Sequence, residues 1–485
     1  MSGAFDYRDR PDPFGGFAGL PSLFAQQTNE GGAGIYIARK NPGAPRTFLA
    51  DKPENAFRVF VLGGSSEAGT PYGYEHAFPN FLQSLLEDAL PDRHIEVVNA
   101  AQPGFASRRV LYVARELAAY APDLLIVCTG HNEVVEQRLY AHLYERPAWL
   151  LELQNRLRRL SFYVAVEDLQ RRLVRTEGVV IDGNEVYAPM FGPMGTKHWK
   201  DEPRDAERQR SLALMMFETN LTQIVRVARA AGAEVMLVSQ AKNYVDWPVV
   251  GQHRFELTDD QHRQWAESMT TAARLEAEGD LDGAIDTLRR LLTIDAGHAE
   301  VYWRLARIHR ARGDHDEAFR LYRRAHNTTL ANFGTTPERN AMLAQVARDE
   351  DTLWVDMDAV FETSSTDGMV GFNWFVDFLH PNLAGHRLIA ETIFAALRAR
   401  GIPEPAAGWR EPDPLPTPEE LYADDRSLLV REIRNKIVAA IVSEHTEEAA
   451  RYLEELRRVD PDDPRLPQLE QWASEASGET ATSTP

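Results

Sequence analysis

The sequence predicts an α/β protein: a three-layer α/β/α sandwich on a parallel five-stranded sheet, with an inserted all-α helical subdomain of tetratricopeptide type. Two observations carry this. Short runs that are apolar throughout alternate with helical stretches, the pattern of strands buried on both faces. One interval between such runs is too long for a simple crossover and repeats itself at 34 residues, the period of a tetratricopeptide helix pair.

Residues 1–56 are rich in Gly, Pro and polar residues (PDPFGGF, NEGGAG, KNPGAPR), a composition expected to give an irregular arm pinned by a few apolar anchors. At Phe57 the pattern changes. FRVFVL (57–62) reads as a strand and ends in Gly63-Gly64-Ser65-Ser66, a tight turn. IEVVN (95–99), LLIVCT (124–129), EVMLVS (234–239) and LWVDM (353–357) read as four more strands. Apolar residues at helical spacing over Phe78–Leu90, Ser107–Tyr120 and Ala206–Ala231 supply the intervening helices. A sheet of this kind receives ligands at the carboxyl ends of its strands.

The α/β domain is therefore expected in two parts, 57–260, with a lid at 138–204, and 331–405. Between them, at 261–330, Ala272, Gly279-Asp280 and Ala284 recur as Ala306, Gly313-Asp314 and Ala318, which predicts two stacked repeats. Residues 406–475 read as a helical tail in which EEAARYLEELRRVDPDDP (447–464) is a candidate third unit, expected to pack on the insert or on the α/β domain. The polar stretch 476–485 is expected to be disordered.

Composition narrows the function classes. With 53 Lys and Arg against 73 Asp and Glu the formal charge is −20, which repels phosphate backbones and anionic surfaces, so nucleic acid is not an expected partner. The opening MSGAFDYRDRPDPFGG lacks the basic start and apolar stretch of a signal peptide, and no window approaches the roughly 18 apolar residues of a membrane span. A soluble, cytoplasmic chain is expected. The single cysteine, Cys128, lies in an apolar run and reads as a packing residue, and no HExxH, paired Cys or acidic cluster calls for a metal or any other cofactor.

Four short blocks bear chemistry. Glycines on either side of Ser65 permit a sharp turn that exposes a hydroxyl and turns backbone N–H groups toward an oxyanion, although such a turn is also common in plain loops. Gly104, after the second strand, either offers a backbone N–H or is simply a turn. Asn132, in Gly130-His131-Asn132-Glu133, either donates its amide to developing charge or caps the next helix. In Asp377-Phe-Leu-His380 a carboxylate three residues before a histidine can bond one ring nitrogen and leave the other to take a proton from serine.

Together the blocks GGSS, Gly104, GHN and DFLH resemble the SGNH (GDSL-like) hydrolases in order and spacing, over roughly 57–131, 234–246 and 352–400. More narrowly, FRVFVLGGSS, PDLLIVCTGHNE and FVDFLHPNLAGH are similar to the subgroup that carries tetratricopeptide repeats. The resemblance implies Ser65 as nucleophile, His380 as base, Asp377 as its orienter, and an oxyanion hole of the Ser65 N–H, Gly104 and Asn132. It implies a serine esterase or deacetylase acting on an acylated small molecule or glycan, with an acyltransferase and a non-catalytic repeat scaffold as rivals. Two positions depart from the pattern: Gly64 stands where an acid precedes the serine, and Glu133 where an Asp follows the Asn.

Other residues carry open readings. His131 and Glu133 flank Asn132 and either meet substrate or serve as capping and dipole partners. Asn243, Asp246 and Trp247 follow the fourth strand and either line the pocket or form a structural loop. The repeats offer a surface for a protein or peptide partner.

Overall fold

The computed structural model describes residues 22–134, 136 and 203–477, apart from 30, 40–45, 250, 252, 254, 330–333, 405–407 and 443–445. The lid expected at 138–204 thus lies outside the described residues as far as residue 202, as does most of 476–485.

Three short antiparallel strands come first: β1 (Phe24–Thr28), β2 (Gly34–Ala38) and β3 (Thr47–Leu49). Within the irregular arm expected over 1–56, residues 24–28, 34–38 and 47–49 are therefore strands. Phe24, Tyr36 and Phe48 form an aromatic cluster with Phe60 and Tyr120, ring centroids 4.5–6.4 Å apart, so the strands are fixed by partners far along the chain. Arg58 completes the join, donating to Leu49 O (2.7 Å), Tyr120 O (2.7 Å) and the Glu96 carboxylate (2.6 Å) while wholly buried.

The central sheet is parallel and five-stranded as expected. Its strands are β4 (Ala56–Gly63), β5 (His94–Asn99), β6 (Leu124–Cys128), β7 (Glu234–Val238) and β8 (Leu353–Val355), in the order β5-β4-β6-β7-β8. The two-residue alternation of β4 feeds both faces. Phe57, Val59 and Val61 join a core with α1 (Phe78–Ala89) and Ile389 and Ile393 of a late helix at Leu383–Arg400. Phe60 and Leu62 join the opposite core with α2 (Ser107–Leu117), α3 (Pro203–Ala230) and a helix at Pro337–Asp349. Three layers result, and β4, at the point where strand order reverses, carries Ser65 at its carboxyl end. β8 is shorter than expected because the Asp356 side chain caps the helix that follows, accepting from Ala359 N.

The insert forms α4 (Asp259–Glu278), α5 (Leu281–Ile294), α6 (Ala299–Ala311) and α7 (His315–Thr328). The repeated alanines, Ala272, Ala284, Ala306 and Ala318, are all fully buried, which lets neighbouring helices approach closely. The repeated glycines, Gly279 and Gly313, take φ of +79° and +78° in the turns that follow α4 and α6, where a side chain would be strained. The two pairs do not stand alone: their apolar residues are continuous with the α1 face of the sheet. Arg310 reaches Asp246 (3.0 Å), and Arg323 reaches Asp358 (2.7 Å).

After α8 (Pro337–Asp349), α9 (Met357–Thr363) and α10 (Leu383–Arg400) comes the tail: α11 (Pro418–Asp424), α12 (Arg426–Val442), α13 (Thr446–Val459) and α14 (Leu466–Ser477). α12–α14 bury Ile433, Ile437, Leu453, Leu456 and Leu469 among themselves. Leu428 of α12 packs with Tyr72, Val376 and Leu383 of the α/β domain. Among the described residues no helix is long and apolar enough to cross a membrane.

Candidate active site

The turn after β4 is built to leave no room. A Cβ on Gly63 would lie 2.3 Å from Glu67 Oε2 and 2.5 Å from Cys128 O, and one on Gly69, at φ +87°, would lie 2.2 Å from Gly73 O. Within these limits the chain coils tightly, with Ala68 N–H donating to Gly64 O (3.1 Å) and Thr70 N–H to Ser65 O (3.0 Å).

Ser65, Asp377 and His380 come together across more than 300 residues of sequence. Ser65 Oγ lies 2.8 Å from His380 Nε2, and His380 Nδ1 lies 2.6 Å from Asp377 Oδ2. Asp377 Oδ1 accepts from the N–H groups of Leu379 and His380, both at 2.8 Å. Burial alone would raise the Asp377 carboxyl, but the His380 charge and hydrogen bond and these two N–H groups outweigh it and hold the group below its ordinary value. An ionised Asp377 can only accept, so the shared proton sits on Nδ1 and leaves Nε2 free to accept from the serine hydroxyl.

Three further donors lie on neighbouring loops. Neither the Ser65 N–H nor the Gly104 N–H has a hydrogen-bond acceptor among the described residues. Gly104 takes φ +76°, which suits glycine. Asn132 Nδ2 donates to Phe105 O (3.0 Å) and lies 2.6 Å from where a Cβ on Gly64 would be. The absence of an acid at position 64 is thus matched to its surroundings: any side chain there would meet Asn132.

The Gly104 loop is clamped from below. Arg109 donates to Gly104 O (2.6 Å) and to Glu136 Oε2 (2.7 Å), and Glu136 also accepts from Ala106 N (3.0 Å). Glu133 accepts from Ser107 N and Ser107 Oγ, both at 2.8 Å, and Asn220 donates to Ser107 Oγ (3.0 Å). Burial and the neighbouring Glu136 raise the Glu133 carboxyl to about 7 against the pull of its Ser107 bonds. Glu133 is thus a bonding partner of the α2 N-terminus.

His131 is buried, with Nδ1 accepting from Thr335 N (2.9 Å) and its N–H donating to Gln240 Oε1 (3.1 Å). Desolvation, with His380 and Lys242 adding to it, holds the His131 ring well below its ordinary value, so it is neutral. Asn243, Asp246 and Trp247 contact the segment that leads into and carries the DFLH loop. Asn243 N–H donates to Phe378 O (3.1 Å), Asp246 Oδ2 accepts from Phe372 N (3.0 Å), and Trp247 packs on Phe372 and Phe378.

Some contributors went unread in the sequence. Glu67, buried beneath the turn, accepts from Gly64 N (2.7 Å) and Gln240 Nε2 (2.9 Å). Burial pushes its carboxyl up to about 7, opposed by those bonds. It places its side chain against the backbone beside Ser65 from a position three residues after Gly64. An acid amid the small residues of GGSSEAG was the available signal. Arg109, Glu136 and Asn435, which donates to Asp377 Oδ2 (2.6 Å), carry no motif. Among the described residues no group of three or more His, Cys, Asp or Glu is placed to hold a metal ion.

No curated protein matches the chain. Residues 275–327 match the family model of a tetratricopeptide repeat. In solved structures the chain is similar to an acetylxylan esterase from Geobacillus stearothermophilus (12% identity over 72% of this chain and 96% of that one, TM-score 0.30). It is likewise similar to a lipase/acylhydrolase from Enterococcus faecalis (10% identity, 74% and 100% covered, TM-score 0.30). An extracellular lipase from Streptomyces rimosus is similar too (11% identity, 71% and 99% covered, TM-score 0.31).

Proposed function

We propose that this chain is a serine hydrolase of the SGNH type that cleaves an ester of a small molecule or glycan through an acyl-enzyme on Ser65. The observation that carries the reading is the unbroken chain from Ser65 Oγ to His380 Nε2 (2.8 Å) and from His380 Nδ1 to Asp377 Oδ2 (2.6 Å). In this reading His380 takes the Ser65 proton as Oγ attacks the carbonyl carbon, and Asp377 stabilises the imidazolium. The oxyanion is met by Ser65 N–H, Gly104 N–H and Asn132 Nδ2, fixed before the charge develops. His380 then protonates the departing alkoxide, the acyl group stays on Ser65, and a water activated by the same ring releases it as the free acid.

Turnover of an activated aryl ester tests this. The wild type is expected to release the acid, and His380→Ala to lose the activity by roughly 10⁴-fold. Equal rates in the two proteins would overturn the proposal. With alcohols or amines present, preferential acylation of the acceptor would assign transfer in place of hydrolysis.

A second expectation separates activity from stability. In Gly64→Ala the new methyl group would stand 2.6 Å from Asn132 Nδ2, the far end of a side chain that can swing away. The melting temperature should change little, while kcat falls by about 10²-fold for loss of one oxyanion donor. Steady-state kinetics beside a thermal melt reads both quantities.

A further inference from the structure

α12 is anchored on the α/β domain at two places. Glu432 accepts from the hydroxyls of Tyr72 (2.6 Å) and Tyr422 and from Lys436 Nζ (2.5 Å), while Arg431 donates to Tyr72 O (2.7 Å). Tyr72 stands at the end of the nucleophile turn. One helical turn beyond Arg431, Asn435 is half-buried and its Nδ2 donates to Asp377 Oδ2 at 2.6 Å. That oxygen is the one that accepts from His380 Nδ1. Asp377 therefore has four donors: the Leu379 and His380 N–H groups on Oδ1, and His380 Nδ1 and Asn435 Nδ2 on Oδ2. Three come from its own loop, and the fourth comes from the tail.

We infer that Asn435 is a positioning residue for the proposed triad, through which the tail helix fixes the Asp377 carboxylate and sets how strongly it holds the protonated base. The inference rests on the hydrolase reading above. The amide N–H shares the negative charge of Oδ2, so less of it bears on His380. When the donor is removed, the imidazolium is held more tightly and persists to higher pH, where it cannot accept the serine proton. The carboxylate also loses one of the two contacts that orient Oδ2, so the rate falls as well. Glu67 under the nucleophile turn, His131 on the loop after β6 and His386 of α10 are titratable groups coupled to His380 by charge, and the substitution alters none of them.

The test is the rate of inactivation by a fluorophosphonate as a function of pH, measured on the full chain. Asn435→Leu keeps the branched shape and removes the donor, and Asn435→Ala is mild because Ala is the best helix former, so at least one should fold. In both, the rate on the plateau should fall about tenfold, the worth of one hydrogen bond to a charged group. The acid limb should move to higher pH. Glu432→Gln loosens the anchoring of the same helix without touching Asp377, and should lower the melting temperature without moving the limb. A limb unmoved in both Asn435 variants, or moved equally by Glu432→Gln, overturns the positioning role. If the wild type shows no labelling, or Ser65→Ala labels as fast as the wild type, the hydrolase reading itself falls, and this inference falls with it.

Discussion

On the proposed hydrolase reading, Ser65→Ala should leave a folded protein with no measurable covalent labelling and a loss in kcat of roughly 10⁴-fold or more, because the proposed attacking atom is gone. The side chain is small and already buried against His380, 2.8 Å away, so the deletion opens little space. The lost hydrogen bond is worth only about 1 kcal/mol of stability. The melting temperature is thus the control: a large drop would assign Ser65 to the fold. Ser66 is the neighbouring hydroxyl, and its Oγ bonds Leu379 O (3.3 Å), away from the His380 ring nitrogen. Ser66→Ala should therefore retain labelling.

Arg109→Met is expected to have the largest effect on stability among changes beside the site. Arg109 and Glu136 are both essentially excluded from water, at 0% and 1% side-chain exposure, and are paired at 2.7 Å. Removing the guanidinium leaves the buried Glu136 carboxylate only the Ala106 N–H and no opposite charge, and frees Gly104 O, a loss of about 3–5 kcal/mol for breaking a buried pair. The Gly104 loop also loses its clamp, so any oxyanion donor there is no longer held in place. Denaturant melts should show the loss of stability, and kcat should fall by roughly 10²-fold even where the protein is still folded. Arg109→Met with Glu136→Leu should recover much of the stability, because the stranded charge is gone.

The central sheet was legible because strands buried on both faces leave an apolar run in the sequence, as FRVFVL and LLIVC do. The repeat insert was legible because stacking demands the same small residue at each pass, and all four alanines are buried. The three-stranded arm was not. Its strands are short, bounded by Gly- and Pro-rich stretches, and held by rings at Phe60 and Tyr120 that only the fold brings near.

The candidate site divides in the same way. Ser65, Asp377 and His380 sit in local motifs, where turn geometry fixes the side chains within a few residues. The supporting contacts are tertiary: Arg109 and Glu136 are 27 residues apart, and Asn435 is 58 residues from Asp377 on a tail helix with no motif. Glu133 adjoins Asn132 yet bonds Ser107, and Asn243 follows β7 yet bonds the DFLH backbone.

The most direct measurement is the location of the covalent adduct. After reaction of the 485-residue chain with a fluorophosphonate, intact mass spectrometry should show one phosphonyl group per chain, and peptide mapping should place it on Ser65. The adduct should be missing in His380→Ala under the same conditions, because without the base the hydroxyl is not activated. An adduct on Ser66 or on any other residue, or ester turnover that continues with Ser65 unmodified, would contradict the account.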